Sequence, residues 1–212
     1  FLMLGGVSFF ESLLLAFGSA GTGGFAIREA NIAHYGSHYI EMVVAIFTML
    51  FGINFNIFFL FIMRRQRLAI RNEEFRVYLA LIFGCTVIIA QSILHQFPNS
   101  LIAYKEAFFH VVSMITSTGY YTENLHEWPM YSRAVLMLLM LVGACAGSTA
   151  AGLKISRVLI LGKGAIQEAK RFVHPNRVIP VQMDGHKLPD ALVRSVGIYL
   201  FVYACLFLLT LM

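Results

Sequence analysis

Two stretches of this chain carry the same pattern about 95 residues apart. Glu11 stands 13 residues before Gly24, and Glu106 stands 13 residues before Gly119. Each interval is a short apolar run that closes on small and hydroxylic residues, a glycine and an aromatic. The first closes as Gly21-Thr22-Gly23-Gly24-Phe25, the second as Thr116-Ser117-Thr118-Gly119-Tyr120. A polar loop and a long hydrophobic segment follow each. An internal repeat constrains a fold strongly, because both copies must find the same local structure. This layout predicts a helix that goes halfway into a bilayer, an extended stretch, and an exit on the same side.

Composition agrees with a bilayer. The chain has 212 residues, 58% hydrophobic and 13% charged, with a mean hydropathy of +0.74. Soluble domains average about 25% charged residues, so a polytopic membrane protein is expected. The net charge of +5 sits in a few loops and reads as topology. No basic face alternates with stacking aromatics, so no nucleic-acid partner is expected. Cys85, Cys145 and Cys205 each lie in an apolar segment and read as inert small hydrophobes. The chain opens at Phe1 without a signal-peptide pattern and stops at Met212 inside an apolar run, which reads as a piece of a longer protein.

A spanning helix needs about 20 apolar residues. Tyr39–Met63, Phe75–Phe97, Tyr131–Leu161 and Leu192–Met212 are long enough, the third with a small-residue stretch inside it. Phe9–Ala20 and Leu101–Ile115 reach only about 18–22 Å and do not cross. Basic residues cluster at Arg64, Arg65, Arg67, Arg71 and Arg76, and again from Lys154 to Arg177. The positive-inside rule puts both clusters in the cytoplasm, so both glycine loops open outside. The expected fold is an all-α membrane protein of repeated span–pore helix–filter loop–span units, like a K⁺ channel. Residues 1–70 form a pore unit without its first span, and 71–170 a complete unit with a broken inner helix. Residues 171–212 form a cytoplasmic connector and the first span of the next unit. Gly52 and Gly143 correspond after a four-residue gap and extend the match past the loops.

Thr22, Gly23 and Gly24, with Ser117, Thr118 and Gly119, are the candidate K⁺ ligands. A dehydrated cation needs its hydration oxygens replaced, and backbone carbonyls of an extended loop can do this, with glycine supplying unusual angles. Each half-helix before the loop is expected to end in free carbonyls and a partial negative charge that favours a cation. The stretch Gly143, Ala144, Cys145, Ala146, Gly147, Ser148, Thr149, Ala150, Ala151, Gly152, with Lys154 just beyond, has two open readings. One is close helix packing by small-xxx-small spacing; the other is an unwound intramembrane loop that blocks or opens the path. The other copy has Gly52-Ile53-Asn54 there, so the interruption is expected in one copy alone.

Other residues carry less. His34 and His38 could share a helix face, but solvated loop histidines are the expectation. Glu11 and Glu106 sit at the outer starts of the half-helices and suit the helix dipole. Trp128, Tyr120, Tyr121 and Tyr131 read as an interfacial aromatic belt. No chain of buried acids points to a proton relay, and no hydrolase, zinc-peptidase or phosphate-loop motif argues for an enzyme.

These stretches resemble the Trk/Ktr potassium-uptake superfamily, of the bacterial TrkH/TrkG type. The match rests on Gly21–Phe25, Thr116–Tyr120 and Gly143–Lys154 with its Ala-Gly-Ser-Thr core, and on Lys170–Val181 as a cytoplasmic connector. The resemblance implies K⁺ as the transported ion and four pseudo-repeats around one pore, of which this chain holds the second, the third and the start of the fourth. It also implies a homodimer in the bacterial inner membrane and a cytoplasmic nucleotide-binding regulatory subunit of the TrkA type. The broken helix would be the gate. Channel-like passage and symport with H⁺ or Na⁺ both remain open. Two alternatives stand beside K⁺ uptake: a secondary transporter of another small solute or cation, and a non-conducting scaffold that docks a partner through Lys154–Arg177.

Overall fold

The computed structural model describes residues 1–173 and 180–211. The first pore unit contributes α1 (Phe9–Ala20), α2 (His38–Phe51) and α3 (Phe55–Ile62), and α4 (Gln66–Arg71) connects it to the second. The second contributes α5 (Glu73–Ile93), α6 (Ser100–Ile115), α7 (Met130–Val142) and α8 (Ile155–Val173). A hairpin of β1 (Gln182–Met183) and β2 (His186–Lys187) precedes α9 (Asp190–Leu211). The fold is helical, as expected, apart from that hairpin. α8 runs on through Lys170 to Val173, and His174–Ile179 of the expected connector lie outside the described residues.

Local sequence sets most helix starts. Ser8 accepts from the Glu11 N–H, the Ser-x-x-Glu arrangement that closes an N-terminus. Asn72 and Asn99 accept from the N–H groups of Phe75 and Leu101. α6 lies at the centre, packed on α5, α7 and α2. Its buried Ala103, Ala107, Val111, Val112 and Ile115 meet Tyr78, Ile82, Ile89 and Ile93 of α5 in the larger core cluster. Small residues on α6 let the two helices approach closely.

Among the described residues, α5 with its continuation to Gln96 and α9 are each long and apolar enough to cross a membrane. Tyr39–Met63, expected as one span, is broken: α2 and α3 meet at 90° across Gly52–Asn54. Both inner helices therefore break, contrary to the single interruption expected. α2 stops at Gly52 and α7 stops at Gly143, the two glycines that the repeat aligns. The copies differ in length, because α3 restarts at once while α8 restarts only at Ile155. Asn54 makes the quick restart possible, since its side chain accepts from the Asn56 N–H.

Candidate functional site

The two glycine loops share three backbone bonds at the same spacing, and the second adds a fourth from Gly119 N–H to the Ser113 carbonyl at 3.3 Å. α1 ends with Gly21 N–H donating to the Phe17 carbonyl at 2.9 Å, Thr22 N–H to Ser19 at 3.2 Å and Gly23 N–H to Gly18 at 2.8 Å. α6 ends with Thr116 N–H on Val112 at 3.1 Å, Ser117 N–H on Met114 at 3.0 Å and Thr118 N–H on Ser113 at 2.9 Å. This closure needs a left-handed residue just past the helix. Thr22 and Ser117 take that role with φ of 49° and 57°, at a cost of about 1–2 kcal/mol each for a residue with a Cβ. Gly24 and Gly119 are left-handed again at 67° and 80°. Three of the four last-turn carbonyls on each half-helix, expected to be free, accept from loop N–H groups.

The loops lie against each other. A Cβ on Gly24 would overlap the Thr118 carbonyl oxygen, which is backbone and cannot rotate away. Tyr120, 1% exposed, reaches across the boundary and donates from its hydroxyl to the Phe25 carbonyl at 3.3 Å. Its own carbonyl accepts from Ser113 Oγ at 2.6 Å. Tyr120 and Trp128 are thus core residues rather than members of an aromatic belt, while Tyr121 and Tyr131 are exposed. Trp128 packs edge-on against His110, ring centroids 4.8 Å apart.

Glu11 and Glu106 tie each loop back to its own half-helix. Glu11 accepts from Arg28 at 2.7 and 3.0 Å, 17 residues on. Glu106 accepts from Thr122 at 2.5 Å, 16 residues on. Glu106 is 3% exposed and pairs with Lys105 at 2.7 Å, and Lys105 also pairs with the buried Glu41 of α2. Two buried acids, Glu106 and Glu41, thus sit around one cation beside the second loop. Glu123, just past the second glycine loop, has its carboxyl held above the usual range by burial and by the Glu106 and Glu41 carboxylates. His34 and His38 fall on separate elements, His38 near Lys105 and Glu41, and no metal-binding cluster occurs among the described residues.

Between α7 and α8, residues 143–154 are unwound, which favours the intramembrane-loop reading over helix packing. Gly143, Gly147, Gly152 and Lys154 all have positive φ. Ala144 and Cys145 are buried, Thr149 is exposed, and Ser148 Oγ donates to Cys145 O at 2.6 Å. Ala151 and Gly152 close back on Gly143, where a Cβ on Gly152 would stand 2.8 Å from the Gly143 Cα. Lys154 Nζ donates to the Ala150 carbonyl, so its charge is used inside the loop.

Gly52 joins this loop to the second glycine loop. Its carbonyl accepts from Cys145 N–H at 3.2 Å, and the Phe55 N–H donates to Gly147 O at 3.2 Å. A Cβ on Gly52 would meet Thr116 Cγ2 at 2.9 Å and press on the Tyr78 hydroxyl. Its φ of −73° carries no strain, so Gly52→Ala is a purely steric change. We expect it to lower stability by about 1–3 kcal/mol, read as a fall in detergent-solution Tm; an unchanged Tm would mean that Thr116 and Tyr78 yield freely.

Sequence reasoning missed Glu74, Lys105, Glu41 and Asp184. The first three hold their partners across 64 to 72 residues or more, a separation no local pattern reveals. The Asp184-Gly185 pair was readable as a hairpin turn.

Comparison with known proteins places these features. Residues 5–212 match the TrkH family, described as cation transport protein. The Trk system potassium uptake protein TrkH of Escherichia coli K12 is 31% identical over the whole of this chain, and TrkG of the same strain is 28% identical over 94% of it. The crystal structure of the potassium transporter TrkH from Vibrio parahaemolyticus superposes with a TM-score of 0.92 at 27% identity, covering 98% of this chain and 46% of that one. The chain spans 44% of the length of the Escherichia coli TrkH. A family profile matched along nearly all of its residues is decisive: the chain belongs to the TrkH family of cation transport proteins.

Proposed function

We propose that this chain supplies two adjacent quarters of a K⁺ pathway, within a potassium-uptake protein of the bacterial inner membrane. The observation that carries the reading is the matching pattern of left-handed positions and closing bonds in the two loops and their contact at Gly24 and Thr118. A left-handed residue on either side of an ordinary one turns successive carbonyls toward one side, where a regular strand would alternate them. Thr22, Gly23 and Gly24 with Ser117, Thr118 and Gly119 then present oxygens to a dehydrated ion. Relatives that carry the name potassium uptake protein make K⁺ the favoured cation.

The loop from Gly143 to Lys154 acts as the gate, since it is unwound and hangs from the same Gly52 that touches the filter helix. The pore units 1–70 and 71–170, with 171–212 as cytoplasmic connector and first span of the next unit, belong to a longer chain that works as a homodimer with a nucleotide-binding cytoplasmic subunit of the TrkA type. Expressed as the full-length parent in cells without their own K⁺ uptake, the wild type should restore growth at low K⁺. The open space around a Gly119 Cβ lets an aspartate side chain project beside the loop without disturbing the core. Gly119→Asp should therefore raise the K⁺ requirement at least about tenfold while the protein still folds. Equal rescue by both would leave the loop a simple turn, and rescue by neither would favour the scaffold reading.

A further inference from the structure

Two consecutive acids open α5, and they face different structures. Glu74, 3% exposed, accepts from the Ala146 N–H at 2.5 Å and from the Ser156 N–H at 3.1 Å. One carboxylate oxygen thus holds the middle of the unwound loop and the first turn of the helix that follows it. Glu73 faces the cytoplasmic hairpin. Its side chain pairs with Lys163 of α8 and accepts from Asp184 N–H at 3.3 Å. Asp184 answers: its two oxygens accept from Glu73 N–H at 2.7 Å and from Asn72 Nδ2 at 2.8 Å. Lys163 also donates to Gln182 O at 2.7 Å. The hairpin turn is formed by Asp184 and Gly185, with φ of 52° and 81°.

A helix start normally satisfies its orphan N–H groups with a nearby residue. Here Asn72 does so for Phe75, and a second cap comes from Asp184, more than a hundred residues away. That cap is exposed and sits on a two-residue-strand hairpin, which has little stability of its own. It is therefore the weak link in a stiff chain of contacts: hairpin, Glu73, Glu74, loop.

We propose that Glu74 is the positioning residue of the intramembrane loop, and that the Asp184 hairpin is a clamp on it, so that lifting the hairpin from α5 frees Ala146 and its neighbours. The inference deepens the reading of the loop as a gate and rests on it for its meaning in transport. The clamp faces the basic, cytoplasmic side of the chain, so its release would come from that side.

The chain carries its own reporter. Cys145 lies in the loop and is fully buried, while Cys85 on α5 and Cys205 on α9 lie outside it. The full-length protein in membrane vesicles would be treated with N-ethylmaleimide, and the three cysteines followed by mass spectrometry. Asp184→Ala should speed alkylation of Cys145 at least about tenfold with Cys85 and Cys205 unchanged. Glu74→Ala should do the same, and Glu74→Gln, which keeps an acceptor oxygen, should fall between. A wild-type rate at Cys145 in Asp184→Ala would overturn the clamp, and so would equal acceleration at all three cysteines. Potassium flux from the same vesicles separates the two ideas. Faster Cys145 labelling without altered flux leaves the clamp standing and removes the loop as gate.

Discussion

Gly24→Ala is expected to abolish K⁺ uptake by the full-length protein, while Gly119→Ala only weakens it. Both positions are left-handed, at 67° and 80°, so both substitutions meet the same backbone penalty of about 1–2 kcal/mol. The surroundings differ. The Gly119 Cβ would enter open space, whereas the Gly24 Cβ would overlap the Thr118 carbonyl oxygen. That oxygen belongs to a backbone pinned by the Thr118 N–H bond to Ser113, so the loops must move apart. Strain and clash together reach about 3 kcal/mol, or about 100-fold in occupancy of the native arrangement. Rubidium or potassium uptake in cells, with surface expression measured alongside, checks it. Equal activity of the two variants would show that the loops do not need this contact.

The second large effect is expected at Lys105. Its ammonium group stands between Glu106 and Glu41, whose exposures are 3% and 7%. Lys105→Met leaves two carboxylates facing each other without a cation, and removing one partner of a buried ion pair costs about 3–5 kcal/mol. Thermal unfolding in detergent at pH 7 measures the loss. Adding Glu106→Gln to Lys105→Met should recover most of the loss at pH 7, because the two sites share one interaction. A double variant as unstable as the single one would mean that Lys105 acts by packing its stem.

What the sequence revealed was local, and what it hid was long-range. The half-helices and their loops were legible because ten or so residues determine them. A short apolar run, a left-handed position and a glycine suffice for each, and a second copy at matched spacing removes the ambiguity of the first. The 90° break after α2 was hidden, because Gly52-Ile53-Asn54 interrupts an apolar run that is otherwise long enough to span. Asn54 after a glycine was the available sign, a helix stop followed by a cap. Tyr120 and Trp128 misled because aromatics suit a membrane interface and a core equally well, and only tertiary structure shows the His110 ring beneath Trp128. The structural acids were silent in the sequence. Glu74 and Glu106 become structural only when Ala146 and Thr122 arrive from elsewhere in the chain.

The backbone hydrogen bonds that close the two glycine loops reach back no more than six residues. Loop closure over so short a distance is entropically cheap. Each loop can therefore take its final shape as soon as its own helix has left the ribosome, without waiting for the other quarters of the pathway. Assembly then reduces to docking finished parts, with Tyr120 sliding under Gly18 and Phe25. A protein made this way can diverge at the seams between its quarters while the loops themselves are kept, since the instructions for each loop travel with the helix that bears it.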